Sequence, residues 1–560
     1  PRLIKWIGLE RSLNFFLNGN VIDCEKFSDT KLFSEYFQNR ETFGNDTLNF
    51  SKKILENLNF SPFQNLEIKH ENPEGFIKFS KKYLENKKIL NPVLTKFFNI
   101  VETSFKLDFE EVANLERNSF IELVNSNETK AFLHIYFAKK KLNKIEVKNK
   151  VNRVKDIDSV AVIGGGLMGT GIIINFINAG IPVILLEINK EKLEASILKI
   201  KEYYETQILR GKITNEFLNK KIKLLSSTTE IKEIKNVDLV IEAVFEDLEI
   251  KKNLFKLLDQ KIKKDAIFAT NTSTLNINDI ASCTSREQNF LGMHFFSPAQ
   301  IMKLIEIVKG EKTSDEVLIT ILKLAYKINK IPVISGVCDG FIGNRMIEQY
   351  LRQAYFLLEE GCFPHEVDNV IESFGFAMGP FKMCDLAGND IGWNIRKIRL
   401  IEKPSMIYSN IPNIICEKGR FGQKTSAGWY DYELNNRKPI ISQEINDIII
   451  NYSKSNKIIR RKICRNEIIE RLIFALICEG SKILEEGIAQ RASDIDIIYL
   501  TGYGFPIKHG GPMFYADKVG LKNILSKIEK FNKIHIDELW KPSKLMLSLA
   551  KNHGTFNKKT

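Results

Sequence analysis

The sequence SVAVIGGGLMGTG, residues 159–171, is the segment from which the architecture of the chain can be worked out. Its four apolar residues Val160–Ile163 are typical of a buried parallel strand, and a G-x-G-x-x-G turn follows them directly. A helical pattern then runs to Gly180, and a second apolar strand, Val183–Leu186, stops at Glu187. Strand, tight turn, helix, strand and acidic residue, in this order, predict a parallel α/β unit that binds a dinucleotide.

The three glycines of the turn have different expected tasks. Gly164 permits the sharp turn, Gly166 has no Cβ and lets a pyrophosphate approach the backbone, and Gly169 lets the helix pack closely on the strand. The phosphates would bind backbone N–H groups at the positive end of the helix dipole, and Leu167 and Met168 within the turn are also predicted to bind the cofactor. These five residues are the predicted phosphate-binding part of a cofactor site.

Glu187 lies 18 residues after the last glycine of the turn, Gly169. An acid about 20 residues after the turn binds the ribose 2′-hydroxyl in dinucleotide-binding folds. Its carboxylate would repel a 2′-phosphate, so the sequence favours NAD over NADP as the cofactor. The alternative is a glycine-rich turn without a ligand, which the matching strands, helix and acid disfavour.

The composition limits the classes of function. The 560 residues suggest three or four domains, and 44% hydrophobic residues can form a large core. The net charge of +13 comes without an arginine-rich run, so a solvated lysine-rich surface is favoured over a nucleic-acid interface. No apolar run approaches the roughly 18 residues of a membrane span. The eight cysteines form no C-x-x-C pair, which favours a reducing compartment and predicts no metal site.

The α/β pattern continues beyond Glu187 in four apolar segments. They are residues 237–243, 266–273, 290–298 and 304–308. His294 lies at the end of the third, and Glu306 lies 12 residues later on the fourth. A dehydrogenase that oxidises an alcohol needs a base for the hydroxyl proton, and an imidazole held by a carboxylate supplies one. The alternative, a core histidine bonded to a structural glutamate, stays open at this point.

Beyond residue 337 the pattern becomes helical and repeats internally. The sequence LLEEG at 357–361 returns as ILEEG at 483–487, an offset of 126 residues. Asn344 aligns with Glu470, so only the first copy keeps a neutral amide at this position. We therefore expect the first copy to contribute to the site and the second to be structural.

These motifs resemble the L-3-hydroxyacyl-CoA dehydrogenase family, and more closely its multifunctional β-oxidation branch, the enoyl-CoA hydratase/3-hydroxyacyl-CoA dehydrogenases. The resemblance covers roughly residues 153–550. It rests on the segments 164–169, 242–246, 271–273, 294–298, 302–306, 340–345, 419–424, 502–506 and 510–513. So many independent motifs in the right order make the resemblance specific.

The resemblance implies roles for particular residues. His294 would be the catalytic base and Glu306 its partner, while Ser273 and Asn344 would orient the substrate carbonyl and the imidazole. Glu246 would lie near the nicotinamide ribose. Asn271, at the end of the same strand as Ser273, would also bind the cofactor.

The resemblance also implies an α/β plus all-α fold. A Rossmann-type NAD-binding domain at 153–337 would be followed by two repeated helical domains, at 338–435 and 455–550. Residues 1–60 resemble the C-terminal end of a crotonase-type hydratase domain, and 61–152 would be a helical linker region. The catalytic glutamates of that hydratase family lie upstream of this segment, so we expect no hydratase activity from this chain.

The sequence thus predicts NAD-dependent oxidation of an L-3-hydroxyacyl-CoA thioester to a 3-ketoacyl-CoA in fatty-acid β-oxidation. A thiolase is a possible partner, and the expected location is a bacterial-type cytoplasm, with the peroxisome as the alternative. One rival is a dehydrogenase of the same fold that acts on free hydroxy acids or sugar acids. Another is a non-catalytic chain that assembles with a thiolase.

Overall fold

The computed structural model describes residues 1–19, 21–30, 32–56, 66–68, 70–87, 91–142, 154–434, 436–534 and 537–557. The chain divides into two compact units, Pro1–Lys130 and Ala131–Thr560. The polar stretch predicted to lead into the glycine turn, 139–155, lies mostly outside the described residues. No described helix is both long and apolar enough to cross a membrane.

The first unit is helical. Its helices are α1 (Arg2–Ile7), α2 (Leu9–Asn18), α3 (Phe43–Glu56), α4 (Pro73–Asn86), α5 (Pro92–Thr103) and α6 (Phe109–Asn125), and α7 (Asn127–Leu142) continues into the second unit. Asn72, Asn91 and Asp108 cap α4, α5 and α6 by accepting a hydrogen bond from a backbone N–H of the first turn. Helices α4, α5, α6 and α7 fall within residues 61–152, where the sequence predicts a helical region.

The second unit begins with a sheet of eight strands. They are β1 (Val160–Ile163), β2 (Val183–Leu186), β3 (Leu225–Thr228), β4 (Leu239–Glu242), β5 (Ile267–Thr270), β6 (Phe290–Phe295), β7 (Leu304–Val308) and β8 (Ile331–Ser335). Their order is β3-β2-β1-β4-β5-β6-β7-β8, and every neighbouring pair is parallel except β6 and β7. The strand order reverses between β1 and β4, where open α/β sheets bind ligands at the carboxyl ends of their strands.

Helices cover both faces of this sheet. They are α8 (Leu167–Asn178), α9 (Lys190–Leu209), α10 (Asn215–Ile222), α11 (Leu248–Lys261), α12 (Ile277–Ala281) and α13 (Asp315–Lys327). One apolar cluster includes Ile173 and Phe176 of α8, and the other includes Phe255 of α11 and Phe268 of β5. Burial on both faces explains why β1 and β4 read as continuous apolar runs.

Two helical groups and a small two-stranded sheet follow. The first helical group comprises α14 (Gly343–Glu360), α15 (Pro364–Phe374), α16 (Pro380–Ala387), α17 (Asn389–Glu402) and α18 (Ile411–Glu417). The small sheet of β9 (Tyr430–Asp431) and β10 (Ile440–Ile441) comes next, followed by α19 (Gln443–Ser455). The second helical group comprises α20 (Arg465–Glu485), α21 (Ala492–Gly502), α22 (Pro512–Val519), α23 (Leu521–Ile534) and α24 (Lys544–Lys551). The predicted α/β plus all-α fold is confirmed. The hydratase-like origin of residues 1–60 and the domain limits proposed above stay predictions.

The internal repeat produces a reciprocal contact between α14 and α20. Arg345 pairs with Glu479 and Glu486, and Arg471 pairs with Gln353 and Glu360. Each arginine and each partner is the image of another after a shift of 126 residues. An arginine near the start of each helix thus binds the far part of the other, so the two helices are antiparallel and related by an internal two-fold axis.

Candidate functional site

The glycine turn joins β1 to α8 at the point where the strand order reverses. Gly164 has φ +95°, and a Cβ there would lie 2.7 Å from the Ala243 carbonyl oxygen. A Cβ at Gly169 would lie 1.8 Å from the Gly164 carbonyl oxygen. A Cβ at Gly166 would meet nothing within 4 Å. The protein itself therefore requires Gly164 and Gly169, whereas the space in front of Gly166 is open to a ligand.

The N-terminus of α8 faces this open space. Gly166 is its N-cap residue, and no side chain caps the first backbone N–H groups of the helix. Gly166 and Leu167 are exposed, and Met168 is half-buried. Free N–H groups at the positive end of a helix dipole are suited to bind the phosphates of a dinucleotide. The geometry thus fits the predicted cofactor, NAD.

Gly166→Ala separates ligand binding from folding. The φ of Gly166, −66°, is allowed for alanine, so we expect the melting temperature of the variant to stay within about 2 °C of that of the parent protein. The added methyl group would occupy the phosphate approach, so the Kd for NAD should rise about tenfold or more. Calorimetric titration and thermal unfolding measure the two quantities. A protein that keeps its NAD affinity would show that phosphates do not bind at this turn.

Glu187 lies beside the turn, at the end of β2. Its Oε1 accepts a hydrogen bond from the Gly165 N–H at 2.6 Å, and its Oε2 accepts one from the Ile188 N–H at 2.9 Å. These bonds fix the carboxylate next to the turn although 22 residues separate it from Gly165. This is the position that the prediction of ribose recognition requires.

A buried lysine organises the end of β4. Lys251 and Glu242 are fully buried, and Lys251 Nζ lies 2.6 Å from Glu242 Oε1 and 3.2 Å from Glu246 Oε2. Glu246 Oε1 also accepts hydrogen bonds from the Thr272 hydroxyl at 2.5 Å and the Ser273 N–H at 2.8 Å. Burial raises the pKa of Glu246, but Lys251 and these hydrogen bonds outweigh it and leave the pKa below its usual value. Glu246 is therefore a fixed anion beside Ser273.

Sequence reasoning missed Lys251, although a signal for it exists. Lys251, Phe255 and Leu258 recur at helical spacing on α11, and all three are buried. A lysine within a buried apolar stripe needs a carboxylate partner nearby. The acid-rich segment 242–246 was the candidate for that partner.

His294 and Glu306 face each other across two antiparallel strands. They are directly opposite in the β6–β7 register, and His294 Nδ1 lies 2.7 Å from Glu306 Oε2. Both side chains are buried. The Nδ1–H donates to the carboxylate, so the neutral ring keeps its lone pair on Nε2.

Glu306 has a second set of contacts. Its Oε1 accepts hydrogen bonds from the Ile342 N–H at 3.2 Å and the Gly343 N–H at 3.0 Å. One carboxylate thus holds the imidazole with one oxygen and the start of α14 with the other. Asn344, the next residue of α14, is therefore fixed relative to His294.

The remaining predicted residues connect to these two groups. Asn271 Oδ1 accepts a hydrogen bond from the Phe295 N–H at 2.9 Å, which ties the end of β5 to the residue after His294. Asn344 Oδ1 accepts one from the Tyr503 hydroxyl at 2.8 Å, a contact that sequence spacing alone did not indicate. The structure thus brings His294, Glu306 and Asn344 together, and it places Ser273 with Glu246. The catalytic and cofactor-binding roles of these residues stay predictions.

Two sequence family models match the second unit. The model described as 3-hydroxyacyl-CoA dehydrogenase, NAD binding domain, matches residues 159–338. The model described as 3-hydroxyacyl-CoA dehydrogenase, C-terminal domain, matches residues 340–432. The two matches therefore cover the eight-stranded sheet and the first helical group.

Curated relatives have similar names. The peroxisomal bifunctional enzyme of Homo sapiens is 40% identical over 453 residues, which cover 77% of this chain and 62% of that protein. The glyoxysomal fatty acid beta-oxidation multifunctional protein MFP-a of Brassica napus is 36% identical over 439 residues, with coverage of 77% and 60%. The chain thus spans less than two thirds of the length of the curated relatives that it matches.

Solved structures agree with these matches. A 3-hydroxybutyryl-CoA dehydrogenase from Escherichia coli K12 superimposes with a TM-score of 0.62 at 25% identity and covers 71% of this chain and 99% of its own. The dehydrogenase part of multifunctional enzyme 1 from C. elegans gives a TM-score of 0.57 at 29% identity, with coverage of 74% and 96%.

Proposed function

We propose that this chain, whose residues 159–338 and 340–432 match the two 3-hydroxyacyl-CoA dehydrogenase domain models, oxidises the 3-hydroxyl group of an L-3-hydroxyacyl-CoA with NAD. The observation that carries this proposal is the buried His294–Glu306 pair, whose carboxylate also binds the start of α14. A glutamate in a purely structural pair needs no second contact with the element that bears Asn344. The arrangement therefore favours a base over a core histidine.

Each group of the site has its own role in the proposed reaction. NAD, when bound, supplies the acceptor for the hydride that leaves C3 of the substrate. His294 takes the hydroxyl proton at Nε2, and Glu306 stabilises the imidazolium that forms on the ring. Asn344 presents an amide next to this pair, and Ser273 presents a hydroxyl beside Glu246.

The cofactor cradle is made by the glycine turn, by Glu187 and by the end of β4. Backbone N–H groups at the start of α8 would bind the pyrophosphate, and Glu187 would bind the adenosine ribose. Glu246, held by Lys251 and Thr272, would bind the nicotinamide ribose.

Glu187→Ala tests the choice between NAD and NADP. The parent should prefer NAD because the Glu187 carboxylate repels a 2′-phosphate. Removal of one such repulsion, of about 1.4 kcal/mol, should lower the NAD-to-NADP ratio of kcat/KM roughly tenfold. Glu191→Ala, which removes an exposed charge from the first turn of α9, is the control and should leave the ratio unchanged. Equal use of both cofactors by the parent would refute this assignment.

A single assay tests the proposed activity. The purified chain should oxidise NADH when acetoacetyl-CoA is added, and it should leave free acetoacetate unchanged. Equal activity on the free acid would instead indicate a dehydrogenase of hydroxy acids. NAD binding without turnover of either compound would indicate the non-catalytic alternative.

The names of the relatives bear on location and partners. They support the peroxisomal alternative, and they give no support to the bacterial-type cytoplasm expected first. We propose a peroxisomal location, which imaging of the tagged full-length protein can test. Association with a thiolase and the absence of hydratase activity stay predictions.

A further inference from the structure

Tyr503 connects the second helical group to the candidate site. It follows directly after α21, and its hydroxyl donates a hydrogen bond to Asn344 Oδ1 at 2.8 Å. Its ring stacks on Tyr499 with centroids 4.9 Å apart and meets Phe296 edge-on at 5.6 Å. Phe296 in turn contacts the His294 ring at 4.6 Å. Two aromatic neighbours therefore fix the direction of the hydroxyl.

The backbone beside Asn344 is shaped for this contact. A Cβ at Gly343 would lie 2.6 Å from the Tyr503 hydroxyl oxygen, so only glycine allows the tyrosine to come this close without a shift. The same Gly343 donates its N–H to Glu306. The start of α14 is thus held by Glu306 on one side and by Tyr503 on the other.

The internal repeat shows that this contact is specific to one half. Under the repeat, Asn344 corresponds to Glu470 at the offset of 126 residues. The dipeptide Gly375-Phe376 returns as Gly504-Phe505, so the offset has grown to 129 residues there, and Tyr503 corresponds to Phe374. Glu470 pairs with Lys527 at 2.8 Å, and Phe374 has no hydroxyl to donate. Both Asn344 and Tyr503 therefore differ in type from their equivalents in the repeat. The difference falls at the start of α14, which contacts the His294–Glu306 pair.

We propose that Tyr503 is a positioning residue for the dehydrogenase reaction, acting through Asn344. Its O–H donates to Oδ1, so the amide is held with its Nδ2 hydrogens directed to other acceptors. Burial keeps the pKa of Tyr503 well above its ordinary value, so the phenol stays protonated and remains a donor. The second helical group therefore supplies a residue to the site and is more than a structural copy. This inference rests on the proposed oxidation of a 3-hydroxyacyl-CoA.

Tyr503→Phe removes the hydroxyl and keeps the ring. We expect kcat/KM for acetoacetyl-CoA to fall about 3- to 10-fold, because one orienting hydrogen bond is lost, while the Kd for NAD stays within about twofold. Tyr430→Phe is the matched control, since it removes a buried hydroxyl that donates to Asp368 at 2.7 Å in the first helical group. It should leave kcat/KM unchanged.

A double-mutant cycle separates positioning from a structural role. If Tyr503 acts through the amide, Tyr503→Phe should cause no further loss in an Asn344→Ala background. Additive losses, or an unchanged kcat/KM for Tyr503→Phe in an active parent, would overturn the inference. A parent that does not reduce acetoacetyl-CoA at all would instead refute the proposed function, and the inference with it.

Discussion

Substitution of His294 by alanine should lower kcat for the reduction of acetoacetyl-CoA by about 10²–10⁴-fold, the usual contribution of a positioned general acid or base. The imidazole is the group that exchanges the proton with the substrate oxygen, and its Nδ1 is already bound to Glu306 at 2.7 Å. NAD binding should be retained, because the glycine turn and Glu187 follow β1 and β2, which are separated from β6 by β4 and β5. Steady-state kinetics and NAD titration measure the two effects.

The control for this prediction is a second histidine of the same unit. His365 lies in α15, where its ring stacks on Phe363, and His365→Ala should leave kcat unchanged. If His294→Ala turned over at the parental rate, another group would have to be the base. The pair with Glu306 would then be structural, which is the alternative that the sequence left open.

The part of the site that sequence spacing predicts is the part built from neighbouring residues. The G-x-G-x-x-G turn, its flanking strands and Glu187 lie within residues 160–187, where each element follows from local periodicity and the offset of the acid. The structure has these elements as β1, α8 and β2. The helical repeat was equally visible, because identity at a fixed offset needs no knowledge of packing.

The contacts that complete the site join distant segments and leave little local signal. Apolar runs predicted two strands around His294 and Glu306, but the antiparallel register that sets the two residues face to face comes from sheet pairing. Tyr503 lies 159 residues from Asn344, and no periodicity relates them. Lys251 was detectable as a charge in an apolar stripe that follows the acid-rich segment 242–246, but the sequence did not show which of these acids it contacts. Such pairs follow from tertiary packing, which a single sequence does not specify.

Glu306 makes one contact that the sequence suggested and one that it did not. One oxygen completes the His294 pair that strand periodicity suggested, and the other binds backbone N–H groups of α14, which no motif revealed. Both oxygens must act as hydrogen-bond acceptors at once, and a carboxylate can do this. A carboxamide offers one acceptor and one donor, so it cannot satisfy both neighbours.

Glu306→Gln should therefore lower kcat by roughly 10²-fold or more. If the amide oxygen stays on the Ile342 and Gly343 N–H groups, its NH₂ faces Nδ1 and favours the ring tautomer with hydrogen on Nε2, which cannot accept the substrate proton. If the amide is flipped, its NH₂ group faces the two backbone N–H donors of Ile342 and Gly343. The start of α14, which bears Asn344, then loses this contact. Either orientation also removes the charge that stabilises the imidazolium.

Kinetics, NAD titration and thermal unfolding together identify the cause of the loss. The Kd for NAD should stay within about threefold, while kcat falls. Glu360→Gln is the matched control, because Glu360 is a buried carboxylate that binds Arg471 and Arg461 on the opposite side of the α14–α20 contact. It should lower the melting temperature by a few degrees, as loss of a buried ion pair does, with kcat unchanged. Equal falls in kcat for both variants would show that Glu306 contributes stability alone, and the proposed stabilisation of the imidazolium would have to be abandoned.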